Sequence, residues 1–272
     1  MGIHLCQPDQ KKSCAACCGL YNYADNTKQK LKERLASRTQ LFRRVRSGQI
    51  SLDEYRQVIR HREDSRRIYK TIYTCEFAGY LNESECKVGC MLHPMQNKGK
   101  DLRDISFYGR DLCEGHFCPS YQKLDEAEMR MVIDVIDDWY LYGVVVTDID
   151  FVKAFFHIVQ NRLCEKLSSR KIAQIPELSN CLFKYFLLKQ AWPYRDLSKP
   201  RFGKYYFVGE EYNIDKIDYK SMNVDPSGYD AIFLSLASQF STKKDLDGAE
   251  SIIDGIIDEF CETYRRLYHS DH

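Results

Sequence analysis

Nine of the twelve cysteines in this 272-residue chain fall within its first 118 residues: Cys6, Cys14, Cys17, Cys18, Cys75, Cys86, Cys90, Cys113 and Cys118. Thiols crowded in this way must cross-link as disulfides, ligate metal or pack as small apolar side chains. Met1–Leu20 has no apolar stretch of signal-peptide length and is interrupted by Asp9, Lys11 and Lys12, so export is not expected. The expectation is a cytoplasmic protein, and a reducing cytosol favours metal ligation over a disulfide framework.

Length and a hydrophobic fraction of 44% allow one large core or two smaller ones. The net charge of +1 conceals an asymmetry. Residues 1–120 carry 21 Lys/Arg against 14 Asp/Glu, whereas 121–272 carry 19 against 25. This contrast, with the cysteine distribution, divides the chain into a cysteine-rich module over 1–120 and a helical domain over 121–272. The most apolar windows, Met131–Val146 and Phe151–Val159, contain charges or fall short of the roughly 20 residues a membrane span needs, so no membrane partner is expected.

Within the first region, Leu31, Leu35, Phe42 and Val45 recur at helical spacing over Lys28–Arg46. Ser51-Leu52-Asp53-Glu54 is a capping-box pattern that opens a second helix running to about Tyr69. Together they form a basic helical hairpin at 26–70. Residues 75–118 are interrupted by Gly79, Gly89, Gly99, Gly109 and Gly115 and read as a loop-rich segment for which metal supplies the cross-link that packing cannot. Beyond Leu124, helices are expected near 124–142, 148–167, 177–190, 228–240 and 246–268, with a short β-hairpin over Lys204–Val208 and Glu211–Tyr219 around Gly209. The fold class is therefore mainly α: a loop-rich cysteine metal-binding module with a helical hairpin insertion, packed with a C-terminal helical region that contains a short β-hairpin.

Cys14 and Cys17, two residues apart, can turn toward one ion without straining the backbone. Cys18 is harder to place, because adjacent side chains diverge; it serves a second site or packs as a small residue. Cys86 and Cys90 share a face if their segment makes a helical turn, and Cys113 and Cys118 bracket a tight loop at Gly115. Cys75 stands alone. With Cys6 the count is nine, one more than two four-thiolate sites consume. Cys164, Cys181 and Cys261, isolated within helical patterns, read as buried side chains. His93 and His116 are candidate ligands, or equally loop residues hydrogen-bonded to backbone.

The Cys14–Cys18 run, Cys75 and the later Cys86, Cys90, Cys113 and Cys118 resemble the YkgJ-type cysteine-cluster family, a zinc- or iron-chelating domain named for a CxxCxxCC motif. Cys14, Cys17 and Cys18 match its last three cysteines. The first corresponds to Cys6, separated from Cys14 by seven residues where the motif has two. The resemblance implies metal chelation over residues 6–118 and nothing about 124–272.

Zinc is the expected metal, with iron or an iron–sulfur cluster as the alternative, because both use the same thiolate ligands. Each four-thiolate site carries about −2, so part of the basic charge balances buried thiolates. The thiol-rich set favours a closed structural site; an open, catalytic one has Glu114 or Asp111 as base. Arg43, Arg44, Arg46, Arg60, Arg62, Arg66 and Arg67, with Tyr55 and Tyr69 for stacking, permit nucleic-acid binding, but no recognised nucleic-acid motif accompanies them. A solvated or docked basic face is the favoured reading, and a protein partner is the expected one. No phosphate loop, dinucleotide fingerprint, nucleophile elbow or His-Glu-x-x-His motif is present, so whether the chain is an enzyme stays open.

Overall fold

The structure, a computed structural model, describes residues 3–199, 205–208 and 211–268. The chain is mainly helical and divides into two compact units: Gly2–Pro119 with Asp138–Gly143, and Ser120–Asp137 with Val144–His272.

In the cysteine-bearing unit, helix α1 (Lys28–Arg46) begins at Thr27, whose side chain accepts from the Lys30 backbone N–H. Helix α2 (Leu52–Arg62) opens with the reciprocal Ser51–Glu54 capping box that its sequence encodes, and it ends seven residues before Tyr69. Leu41 and Phe42 of α1 meet Tyr55 and Ile59 of α2 in a core completed by Phe77, Met91 and Leu92. The last three flank a two-stranded antiparallel ribbon, β1 (Ala78–Tyr80) and β2 (Val88–Cys90), with Gly79 opposite Gly89. The loop-rich segment thus contributes apolar side chains to a packed core, with Leu102 and Ile105 partly buried against it. Helix α3 (Gly109–Gly115) has no buried residue.

The helical unit comprises α4 (Ser120–Lys123), α5 (Glu126–Val135), the end of α6 (Trp139–Val146), α7 (Ile149–Leu163), α8 (Ser169–Ala173) and α9 (Pro176–Ala191), then α10 (Asp230–Ser235) and α11 (Lys243–Tyr268). The single helix expected near 124–142 is two, because the chain is extended at Ile136 and Asp138 recaps it through the Leu141 N–H at 2.9 Å. Strands β3 (Tyr205–Val208) and β4 (Glu211–Ile214) pair antiparallel. Lys204 and Gly209 of the expected hairpin lie outside the described residues. On α11, Ile253, Ile257, Phe260 and Tyr264 form a fully buried apolar stripe, while Leu267 is exposed. Phe151, Phe155, Tyr185 and Phe260 form a continuous aromatic cluster. Asp148 caps α7 through the Phe151 N–H and is also buried in an ion pair with Lys189. Among the described residues no helix is long and apolar enough to cross a membrane.

Candidate metal centre

The first cysteines are carried on two tight turns, Ala16–Cys18 and Leu20–Asn22, joined at Gly19. Gly19 has φ of +71°, and a side chain there would meet the Tyr73 carbonyl at 2.1 Å, so glycine alone lets the 73–75 segment approach this closely. The approach is what brings Cys75 to Cys18: the Cys75 N–H donates to the Cys18 carbonyl at 2.9 Å. Likewise the Cys14 N–H donates to the Cys6 carbonyl at 2.8 Å.

Polar ties of long sequence reach hold these loops. Ser13 Oγ donates to the Val88 carbonyl at 2.7 Å and accepts from the Val88 N–H at 2.5 Å, setting Cys14 beside the strand that ends in Cys90. Asn22 Nδ2 donates to the Tyr69 and Ile72 carbonyls at 2.9 and 2.8 Å, and its side-chain oxygen accepts from the Tyr69 N–H at 3.0 Å. Tyr142 Oη donates to the Leu5 carbonyl at 2.8 Å, fixing the residue before Cys6. Arg38, 1% exposed, donates to Glu63, to Tyr23 Oη and, at 3.0 Å, to the Cys75 carbonyl.

Eight of the nine N-terminal thiols gather here. Burial pushes the Cys14 thiol well up, and the sulfurs of Cys17, Cys6 and Cys118 raise it further; the Ala16 N–H, 3.5 Å from its Sγ, opposes this. Cys17 is pushed up to about 12 by burial and by Cys118 and Cys6, with Cys113 a weaker neighbour. Cys18 is also raised well above the ordinary range by burial, then by Cys75 and Cys90, and more weakly by Cys17 and Cys113. Burial raises Cys75 to about 12, and its neighbours include Cys90. Cys90 is raised by burial and by Cys113, while the buried guanidinium of Arg103 lowers it. The sulfurs of Cys14, Cys75 and Cys90 each face the backbone N–H two residues onward, of Ala16, Phe77 and Leu92, a hydrogen bond that favours the thiolate.

Cys86 stands apart from them. Its sulfur accepts from Asn82 Nδ2 at 3.0 Å and lies 3.5 Å from the Gln10 carbonyl, within a local turn. His93 caps the Pro94–Gln96 turn, its Nδ1 accepting from the Met95 N–H at 3.3 Å, and burial with the nearby Arg103 lowers its pKa. His116 ends α3 on the surface. Glu114 and Asp111, both exposed, pair with the buried Arg103 at 3.5 Å and with Arg110 at 3.6 Å. None of the twelve cysteines forms a disulfide, and in the helical unit Cys181 and Cys261 are buried while Cys164 is exposed.

The donor set is soft and anionic once ionised, which suits zinc or iron and not magnesium or calcium. Among the described residues no group of three or more Cys, His, Asp or Glu side chains is arranged to hold a metal ion. The sequence signal missed the tie points: nothing marks Ser13, Asn22 or Arg38 as partners of segments 15 to 75 residues away.

The basic hairpin is largely engaged within its own unit. Arg34 and Arg38 pair with Glu63, and Arg56 pairs with Glu76 at 3.3 Å. Tyr55, a candidate for base stacking, is fully buried and donates to the Glu76 carbonyl at 2.7 Å. Arg43, Arg44, Arg60 and Arg62 remain exposed.

No protein-family model, curated protein or solved structure matches this chain.

Proposed function

We propose that this chain is a metal-binding protein of the reducing cytoplasm, holding zinc through cysteine thiolates in one or two sites that stabilise a scaffold or interaction protein. The observation that carries this reading is the gathering of eight thiols, none in a disulfide, from five separated stretches of sequence, around Cys6, Cys14–Cys18, Cys75, Cys90 and Cys113–Cys118. Neutral thiols are weak hydrogen-bonding groups, and bringing so many together through polar ties yields little stability by itself. A divalent cation changes the balance, because it ionises the thiols outright and cross-links the loops that carry them.

Backbone N–H groups aimed at Cys14, Cys75 and Cys90, with Arg103 beside Cys90, offset part of the charge that ionisation creates. The similarity of the Cys14–Cys18 run to the YkgJ-type chelating motif belongs to the same proposal, with Cys6 displaced along the chain but returned to Cys14 by a backbone hydrogen bond. The closed, thiol-only donor set supports a structural role, since catalytic zinc keeps a position for water.

Metal analysis and a visible spectrum of anaerobically purified protein test the reading. Stoichiometric zinc in a colourless protein is expected. Brown protein containing iron and inorganic sulfide would replace zinc by an iron–sulfur cluster; a chain that binds neither refutes the proposal.

A further inference from the structure

We propose that the eight thiols form two four-thiolate sites joined through the Cys17–Cys18 peptide bond, one of Cys6, Cys14, Cys17 and Cys118, the other of Cys18, Cys75, Cys90 and Cys113. This assignment rests on the metal-binding reading and specifies what that reading leaves open, the number of ions and the ligands of each.

The backbone sorts the thiols before any metal is considered. Cys6 and Cys14 are bridged by one hydrogen bond and Cys18 and Cys75 by another, at 2.8 and 2.9 Å. In β1–β2 the partner of Cys90 is Ala78, whose N–H donates to the Cys75 carbonyl, so Cys75 and Cys90 enter the same space. Cys75 lies in the small apolar core, with Cys18 and Cys90 packed against it; Cys6, Cys14, Cys17, Cys113 and Cys118 do not belong to that cluster.

The turn geometry separates the two adjacent thiols. Ala16–Cys18 is a 3₁₀ turn, in which successive side chains diverge by about 120°. Cys17 and Cys18 therefore face different main neighbours: Cys118 and Cys6 for Cys17, Cys75 and Cys90 for Cys18, with Cys113 a weaker neighbour of both. The ninth thiol is accounted for by Cys86, which is occupied in the Asn82 turn.

Each site takes one ligand from the segment around α3, Cys113 for one and Cys118 for the other. Residues 110–117 are exposed throughout, with Leu112 and Phe117 among the large apolar side chains left outside. Metal at both sites pins this segment at two points where packing supplies none. In each site one Zn²⁺ replaces four S–H bonds with four Zn–S bonds, and four protons leave to solvent; no sulfur is oxidised or reduced.

The full-length chain titrated with cobalt(II), followed by its thiolate-to-cobalt absorption and by ions per chain in native mass spectrometry, tests the grouping. Wild type is expected to bind two ions with a four-thiolate spectrum, and Cys86→Ser to match it. Pairs drawn from one site, Cys6→Ser with Cys118→Ser or Cys90→Ser with Cys113→Ser, should halve the four-thiolate absorption and leave one intact site. The crossed pair Cys6→Ser with Cys113→Ser should abolish that spectrum. All five positions lie outside the helical unit, whose circular dichroism reports whether the variants fold. One ion per wild-type chain, loss of both sites in a same-site pair, survival of one in the crossed pair, or loss on Cys86→Ser overturns the grouping while leaving metal binding standing. A wild-type chain that binds no cobalt or zinc overturns the metal-binding reading and this assignment with it.

Discussion

The two units are held by different means. In the helical unit, Phe151, Phe155, Tyr185 and Phe260 pack as one aromatic cluster, and the buried Lys189–Asp148 pair is completed by Ser235, whose carbonyl accepts from Lys189 at 2.6 Å. Its Cys181 and Cys261 are buried one by one, as small residues are. The cysteine-bearing unit has a compact core between α1, α2 and the β1–β2 ribbon, and the loops outside it combine buried Leu5, Leu20, Tyr21 and Tyr23 with individual hydrogen bonds of Ser13, Asn22, Arg38 and Tyr142. Apolar burial is distributed over many contacts, whereas a few polar ties define position without supplying much stability. The proposed cross-linking by thiols would act on the cysteine-bearing unit alone.

The largest expected effect separates the units by metal removal. Structural zinc contributes about 10–16 kcal/mol of apparent binding free energy in small zinc domains. A chelator strong enough to strip the ion should therefore collapse the calorimetric transition of the first unit and open residues 107–119 to protease, leaving the helical transition in place. Unchanged calorimetry after metal loss breaks the comparison. Phe155→Ala should do the reverse, costing about 3–5 kcal/mol of helical-unit stability in urea titration while metal content stays at the wild-type value.

Within the first unit, Arg38→Ala removes the guanidinium that joins Glu63, Tyr23 and the Cys75 carbonyl. A fully buried broken pair costs about 3–5 kcal/mol, but Glu63 keeps Arg34, so about 2–3 kcal/mol is expected in the urea midpoint of metal-free protein. The smallest effect is that of mild alkali. Burial raises Cys17 and Cys75 to about 12 in the metal-free fold, above the roughly 8.5 of an unfolded thiol. The stability this contributes is complete below pH 8.5 and falls as pH rises toward 12, since the unfolded chain releases its thiol protons first. Metal reverses the sign, because ligation needs thiolates. Between pH 7 and 9.5 the metal-free protein should weaken in urea while its zinc affinity rises; parallel changes would contradict the role given to these thiols.

Local signals were legible where the interaction is local. The Ser51–Glu54 capping box, the α1 periodicity and the stripe on α11 are set by residues three or four apart, and each appears as an element near its expected place. The break between α5 and α6 was not legible, because an apolar run reads the same whether one helix or two carries it, and only the Asp138 cap interrupts it. In the candidate site, the thiols stand out by type and spacing, but Cys86 and Cys90 had seemed a natural pair at four residues. A β-ribbon beginning at Ala78 and a turn at Asn82 send them apart.

By itself the sequence determined that thiols concentrate in the first 118 residues, that the rest is helical, and that a basic hairpin lies between the first cysteines and the later ones. Tertiary structure alone decided which thiols are neighbours. A short-range turn at Gly19, a serine bonded to a strand 75 residues on, and a buried arginine under Cys75 each act across distances in sequence that no periodicity records. The physical reason is that side-chain direction follows from backbone dihedrals: in the Ala16–Cys18 turn, one peptide bond is enough to turn two adjacent cysteines toward different partners.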